Sequence, residues 1–378
     1  MIPIYRPWLG EEEAEATQRP IRSGWITQGP EVAAFEAEFA HFVGAEHVVA
    51  VANCTVALQL ALILAGVGRG DEVITVSHSY IATANSIRYV GATPVFADIE
   101  PDTFNLDPDQ LDGLVSPLTR ALLVVHQIGM PCDLGRILPW ARQRGLVVIE
   151  DAACAVGSEI CWHGHWEKLG KPHGDIACFS FHPRKLLTTG DGGMLTLVNP
   201  DWADRARRLR QHAMSVPDTV RHSSAQVISE SYPEVGYNFR LTDIQAAVGR
   251  VQLERLPRLL QRRQQQVEWY RERLAGTPLS WQRQPPWARS NWQSLAVRLP
   301  QGQCQQDWMQ RLLDGGVSSR RGIMCAHREA AYPPGTWRGA SLRESERAQD
   351  EVILLPLFHD LSQDQMEKVA EAILACCP

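Results

Sequence analysis

Lysine is scarce in this chain. Of its 378 residues, 37 are Lys or Arg, yet lysine stands only at Lys168, Lys171, Lys185 and Lys368. Arginine serves everywhere else, and for solubility or a surface ion pair the two cations are interchangeable. Covalent chemistry is different: it needs an amine that can lose its proton and attack a carbonyl, which a guanidinium does not do. Lys185 lies in FSFHPRKLLTTGDGG, from Phe179 to Gly193, and in that Gly-rich setting it is a candidate for such chemistry.

Other absences narrow the field. No apolar run approaches the roughly 18 residues of a spanning helix, and the start MIPIYRPWLGEEE lacks the basic-then-apolar pattern of a secretory leader. A cytoplasmic location away from membranes is expected. The formal net charge of -6 excludes a broad attraction to nucleic acid or an anionic membrane, and RARRLRQ at 205–211 reads as a solvated helix face. Nine scattered cysteines, an odd number, point to reduced thiols rather than a disulfide framework. CWHGHW at 161–166 lacks a second ligand pair and reads as a surface hairpin, with metal binding the minor alternative. No G-x-G-x-x-G follows the first strand candidate, which argues against a dinucleotide-binding oxidoreductase.

What is present is a globular composition, 44% hydrophobic and 21% charged, in a chain long enough for one large domain and a smaller one. From about residue 46, short β-branched runs alternate with helical stretches, the pattern of parallel strands joined by crossover helices. HVVAVA, DEVITV, TPVFADI, ALLVVHQ and LVVIED are the strand candidates. TVALQLALILAG, YIATANSIRYVG and DLGRILPWARQRG have helical spacing, the last ending on Gly145 as a helix C-terminus often does. ACFSF and GGMLTLV are two further strands flanking Lys185. Thr242 to about Leu274 predicts a long helix bent at Pro257. Beyond it, strand-like WQSLAVRL, two helical segments and DQMEKVAEAILACC suggest a smaller α/β unit.

Three elements carry chemistry. Asn53-Cys54-Thr55 follows a strand and opens a helix, whose N-terminal N–H groups and partial positive charge can seat a phosphate; the plainer reading is that Thr55 only caps the helix. Asp151, in VVIEDAACAVGS, sits at the carboxyl end of a strand, where ligands bind in doubly wound sheets; read alone, Glu150-Asp151 is equally a solvated strand end. Ser180, five residues before Lys185, offers a hydroxyl to a phosphate, and the glycines after the lysine let the chain turn back. An amine, a carboxylate for a ring nitrogen and a phosphate seat together form the inventory of a pyridoxal phosphate site.

Six stretches in order resemble the DegT/DnrJ/EryC1/StrS aminotransferases: SGWITQGPEVAAFEAEFA, GDEVITVSHSYIATANSIRYVGATPVFADIEPDTFNLD, VIEDAACAVGS, FSFHPRKLLTTGDGG, EVGYNFRLTDIQAAVGRVQLERL and ILLPLF. The resemblance implies an α/β fold of the fold type I, aspartate-aminotransferase-like class. A large cofactor-binding domain would span 1–250 and a smaller C-terminal domain 251–378, with the long helix connecting them. It implies pyridoxal 5′-phosphate (PLP, or PMP in its amine form) attached to Lys185, with Asp151 at the ring nitrogen and Tyr80 stacked on the ring. The N–H groups of Thr55 and Val56, beside Cys54, and the Ser180 hydroxyl would hold the phosphate. Asn238 would reach the phosphate of a second subunit, making a homodimer with shared sites.

Four positions depart from the family pattern: Cys54 for glycine, Cys154 for a glutamine or histidine near the ring hydroxyl, Asp191 within GDGG, and Ala213 within RQHA. In SSRRGIMCAHREAAY, His327 is the counterpart of a histidine near the sugar. Arg320 and Arg321 are candidates for a nucleotide pyrophosphate, the alternative being exposed loop arginines. Trp25 either lines the substrate entrance or packs in the core. The implied activity is transfer of an amino group from glutamate or glutamine to a keto-sugar, a nucleotide-linked 4-keto-6-deoxyhexose or 3-keto-hexose. Relatives that dehydrate sugars replace the lysine with histidine, so Lys185 argues against that reading; a non-catalytic role for the fold is the other alternative.

Overall fold

The computed structural model describes residues 1–217, 220, 221 and 224–377. The runs read as strands become β1 (His47–Val51), β2 (Glu72–Val76), β3 (Thr93–Ala97), β4 (Thr119–Val125) and β5 (Val147–Asp151). A hairpin of β6 (Glu159–Trp162) and β7 (His165–Lys168) precedes β8 (Ile176–Ser180) and β9 (Gly193–Leu197). Later come the short β10 (Ser280–Trp281), β11 (Ala288–Arg289), β12 (Leu295–Arg298), β13 (Arg320–Arg321), β14 (Arg338–Gly339) and β15 (Val352–Leu355).

The main sheet has the order β1-β9-β8-β5-β4-β2-β3-β14. Its middle strands are parallel, while β9 is antiparallel to both β1 and β8. The carboxyl ends of β1, β2, β4, β5 and β8 therefore share one edge. Strand order reverses between β2 and β4, and crevices at such reversals are where doubly wound sheets bind ligands. Strands β2 and β9 are buried at every residue, as continuous apolar runs covered on both faces should be. The helix Cys54–Leu64, with seven buried residues spread around its circumference, lies against β8 and β9 inside the core.

The long helix Asp243–Arg273 continues through Pro257 as one element, opened by a capping box of Thr242 and Gln245. Its N-terminal residue also acts at a distance. The Asp243 carboxylate accepts the N–H groups of Gly29, Glu31 and Val32 at 2.7, 3.1 and 3.0 Å, and so caps the helix Pro30–Val43 from across the fold. Val267 and Tyr270 of the same helix join a second buried cluster with the antiparallel sheet β10-β12-β15-β13 and the helices Gln305–Asp314 and Gln363–Cys376.

One arginine of RARRLRQ departs from the solvated face expected for it. Arg210 is buried, donates to the Ala50 carbonyl at 2.7 Å and pairs with Glu36, which accepts the Ala50 N–H at 2.8 Å. It lies just past the helix Pro200–Leu209, where the chain turns under β1, so its charge meets backbone and a carboxylate rather than water. CWHGHW forms the β6–β7 hairpin, turning at His163 and Gly164 with φ of 48° and 84°. Among the described residues no three His, Cys, Asp or Glu are placed to hold a metal, and no helix is long and apolar enough to cross a membrane.

Candidate active site

Lys185 lies in the loop between β8 and β9, whose neck is closed by the Phe181 N–H on the Gly192 carbonyl at 2.9 Å. Its backbone is held on three sides. The Lys185 N–H donates to the His182 carbonyl at 2.8 Å, and the Tyr5 hydroxyl donates to the Lys185 carbonyl at 2.6 Å. Gln293 accepts the Leu186 N–H at 3.2 Å and donates to the Arg184 carbonyl at 2.6 Å. The side-chain amine, in contrast, has one partner among the described residues, the Cys154 sulfur at 3.0 Å. Burial works to lower the Lys185 pKa, but Cys154, Cys54 and Asp151 outweigh it and leave it raised.

Asp151 ends β5 and is buried. The Thr83 hydroxyl donates to one carboxylate oxygen at 2.8 Å, the Ala153 N–H to the other at 3.1 Å, and Ser79 extends the chain to Thr83 at 2.8 Å. Among the described residues it forms no ion pair. Desolvation accordingly raises its pKa despite the Thr83 and Ala153 bonds. Its neighbour Glu150 points to the opposite face and is also buried. There the Cys132 N–H donates to His126 Nδ1 at 3.0 Å, so Nε2 carries the proton that goes to Glu150 at 2.9 Å. Burial would raise Glu150, yet His126 and the Gly174 N–H hold it below its usual range. Neither carboxylate is a solvated strand end.

A third feature closes the group. Gly193 pairs with Ser180 on one side and Val51 on the other. A Cβ at Gly193 would lie 2.5 Å from the Asn53 carbonyl carbon and 2.8 Å from the Cys54 nitrogen. Only glycine lets β9 press its backbone on the start of helix Cys54–Leu64, which brings Ser180 beside that helix N-terminus. Asn53 caps the helix by accepting the Val56 N–H at 3.1 Å. The Cys54 and Thr55 N–H groups lie in the first turn, ahead of any intrahelical acceptor. Burial first, and Asp151 next, push the Cys54 thiol well above its ordinary range, so it remains an uncharged thiol in this seat.

The other residues picked from the sequence are placed as follows. Tyr80 lies just beyond β2 with its side chain largely exposed. Asn238 is exposed and bridges to Gln211, and the rings of its chain neighbours Tyr237 and Phe239 stack on each other. His327 is tied at both ring nitrogens, Nδ1 to Ser77 at 2.6 Å and Nε2 to Glu346 at 3.1 Å. Arg320 and Arg321 are exposed and consecutive on β13, so they face opposite sides of the strand. Trp25 is half-buried, covers Gly29 and donates to the Gln28 carbonyl at 3.0 Å.

Sequence reasoning passed over Thr83, Tyr5, Asn291 and Gln293. Asn291 donates to the carbonyls of Cys154 and Val156, both at 2.9 Å, and accepts the Gln293 N–H at 2.9 Å. Residues 291–293 thus bind the loop after β5 to the lysine loop. Trp292 takes a left-handed φ of 51° there. Its carbonyl and that of Gln293 accept from the buried Arg263 at 2.8 and 3.0 Å, a guanidinium that desolvation lowers to about 10. The only sequence signal was the unusual run SNWQ ahead of a strand.

Pyridoxal phosphate requires an amine, a buried anion for its ring nitrogen and a phosphate seat. The amine of Lys185, the uncompensated carboxylate of Asp151 and the cradle formed by Gly193, Ser180 and the helix start fit that group. Comparisons with known proteins agree. The profile of the DegT/DnrJ/EryC1/StrS aminotransferase family matches residues 7–374. The aminotransferase TlmJ from Streptoalloteichus hindustanus is 36% identical with a TM-score of 0.89, over 99% of this chain and 98% of its own. The sugar aminotransferase CalS13 from Micromonospora echinospora is 29% identical with a TM-score of 0.89, over 99% and 100%. Spr1654 from Streptococcus pneumoniae, solved in a PMP form, is 28% identical with a TM-score of 0.91, over 99% and 98%.

Proposed function

The chain belongs to the DegT/DnrJ/EryC1/StrS aminotransferase family, and from that membership we propose that this PLP-dependent aminotransferase moves an amino group from glutamate or glutamine to a nucleotide-linked keto-sugar. The observation that carries the reading is a reactive amine, Lys185, at the same sheet edge as Asp151, a buried carboxylate with no cation bonded to it among the described residues. When bound, the cofactor supplies an electron-withdrawing ring that stabilises negative charge on the carbon next to the transferred nitrogen.

The chain's own residues do the rest. Asp151, oriented by Thr83 and Ala153, would hold a proton on the ring nitrogen. Lys185 would hold the cofactor covalently and, once free, carry a proton at Nζ. The Cys54 and Thr55 N–H groups and the Ser180 hydroxyl would hold the phosphate; Val56 would share in this only by giving up its bond to Asn53. Tyr80 would cover the ring, and its exposure leaves that face open to receive it. Cys154 would lie by the ring hydroxyl.

The same reading places Asn238 at the phosphate of a second subunit in a homodimer. His327 would meet the sugar after leaving Ser77 or Glu346, and one of Arg320 and Arg321, not both, would take a pyrophosphate. Trp25 would border the entrance. We place the cofactor domain at 1–250 and the smaller domain at 251–378, working in the cytoplasm. Borohydride reduction of the loaded protein followed by peptide mapping tests the assignment. Label on Lys185 is expected, whereas label on Lys168, Lys171 or Lys368 would sink it. A panel of nucleotide keto-sugars, each with glutamate and with glutamine, scored for amine product, tests the substrate class.

A further inference from the structure

Of the nine cysteines, Cys54, Cys132, Cys178, Cys325 and Cys376 are buried, and Cys154 is one of those that are not. It differs from the other accessible thiols, Cys161, Cys304 and Cys377, in what it touches: the amine of Lys185 at 3.0 Å. The hydrogen bond runs from the amine to sulfur, so a negative sulfur there has a counter-ion in contact. Asn291 fixes the Cys154 backbone and Gln293 fixes the loop of Lys185, and Asn291 is itself bonded to Gln293. Sulfur and nitrogen are thus held together by one short segment. The amination chemistry gives no reason for a thiol at this position.

We propose that Cys154 and Lys185 form a peroxide-driven, thiol-reversible cross-link that closes the site to its cofactor. In the first step the Cys154 thiolate attacks a peroxide oxygen. The S–O bond forms, the O–O bond breaks and the departing hydroxide takes a proton from the Lys185 ammonium to leave as water, so sulfur is oxidised by two electrons, the peroxide is reduced and the amine becomes neutral. In the second, the neutral Lys185 amine attacks the sulfenic sulfur. The N–S bond forms, the S–O bond breaks, and the departing hydroxide takes the amine proton as water. The sum is one thiol, one amine and one hydrogen peroxide giving one sulfenamide and two waters. Two equivalents of a small thiol reverse it, leaving a disulfide of the reductant. The second step needs a free amine, so protein whose lysine is occupied by pyridoxal phosphate is protected, and protein without cofactor is exposed.

The covalent bond does not depend on the function proposed above; its effect on cofactor loading does, and two readouts keep them apart. Full-length protein freed of cofactor is treated with a small excess of hydrogen peroxide, blocked with an alkylating agent and mapped by mass spectrometry. The expected result is a Cys154 peptide joined to the Lys185 peptide, in a chain lighter by two hydrogens. Dithiothreitol should restore the original mass, and prior loading with pyridoxal phosphate should prevent the change. Separately, the cross-linked protein should fail to gain visible absorption on adding pyridoxal phosphate until dithiothreitol is present. Cys154→Ser, checked for folding by circular dichroism, should not cross-link, and Cys304→Ser should cross-link as the parent does. Recovery of Cys154 as a sulfinic acid with Lys185 free, or of both unmodified, overturns the proposal. Cross-linking without any effect on cofactor loading overturns instead the place of Lys185 in the proposed function.

Discussion

Thr83 and Asp151 are joined by a 2.8 Å hydrogen bond that fixes the orientation of a buried carboxylate from the start of the helix after β2. Threonine is the donor, and among the described residues the carboxylate has one other donor, the Ala153 N–H. Thr83→Val keeps the shape and deletes the hydroxyl. It should cost about 1–3 kcal/mol in urea unfolding of the cofactor-free protein, the usual effect of stripping a buried charged acceptor of a partner. Cofactor affinity should fall with it. Unchanged unfolding and unchanged affinity would show that the bond does not orient Asp151.

Burial raises the Asp151 pKa above its ordinary 3.8, so the folded, cofactor-free protein binds this proton more tightly than the unfolded chain does. The stability it contributes is present in full below 3.8 and is lost as pH rises from there through the raised folded value. Asp151→Asn removes the penalty. The cofactor-free variant should melt higher than the parent at neutral pH and lose this part of the pH dependence. Its turnover should drop by on the order of 100-fold or more, since a preorganised charge is gone. A lower melting temperature at neutral pH would refute the burial argument.

Gly193→Ala places a methyl 2.5 Å from the Asn53 carbonyl carbon and 2.6 Å from its oxygen. Both are backbone atoms and cannot swing aside, so β9 must move off the helix start. Overpacking of this kind costs about 1–3 kcal/mol. Ser180 should separate from the phosphate seat, and titration with pyridoxal phosphate should show weaker binding than in a Gly192→Ala control, where the nearest obstacle is the Thr189 hydroxyl, a side-chain atom.

Gln293→Ala frees the Leu186 N–H and the Arg184 carbonyl together, while Tyr5→Phe frees the Lys185 carbonyl. Each alone should lower turnover with the protein still folded. Because both act on the one stretch 184–186, Gln293 at its two ends and Tyr5 at its middle, the double variant should lose less than the sum of the single losses, by about 0.5 kcal/mol or more. Strict additivity in transition-state free energy would mean that the two contacts hold the loop independently.

Asp243→Ala removes the acceptor of three N–H groups at the start of the helix Pro30–Val43. A helix-cap loss is worth about 0.5–2 kcal/mol, and the cost here should lie at the upper end because two of the three bonds are buried. Denaturant unfolding of the full chain measures it. A loss below about 0.5 kcal/mol would assign the capping to solvent.

The strands and the chemistry at their ends were legible because both are local. Period and β-branching mark β1 to β5, and Lys185, Asp151 and Ser180 each stand at or just past a strand end. What supports them was not legible, since it is supplied from far along the chain. Thr83 lies 68 residues from Asp151, Gln293 lies 107 from Leu186, and Asn291 lies 137 from Cys154. Amides and hydroxyls in such roles look like ordinary surface residues. Arg210 shows the same limit: in a run of arginines nothing local tells which one turns inward to meet Glu36.

The clamp of Asn291 and Gln293 sets an order of events during synthesis. Tyr5, Asp151, Cys154 and Lys185 all leave the ribosome before residue 291, so a growing chain can already carry the strands, the amine and the carboxylate. The two loops that bear them are not yet tied to each other. A translation product ending before residue 291 would contain Lys185, Asp151 and Cys154 without the Asn291 and Gln293 bonds that tie their loops together.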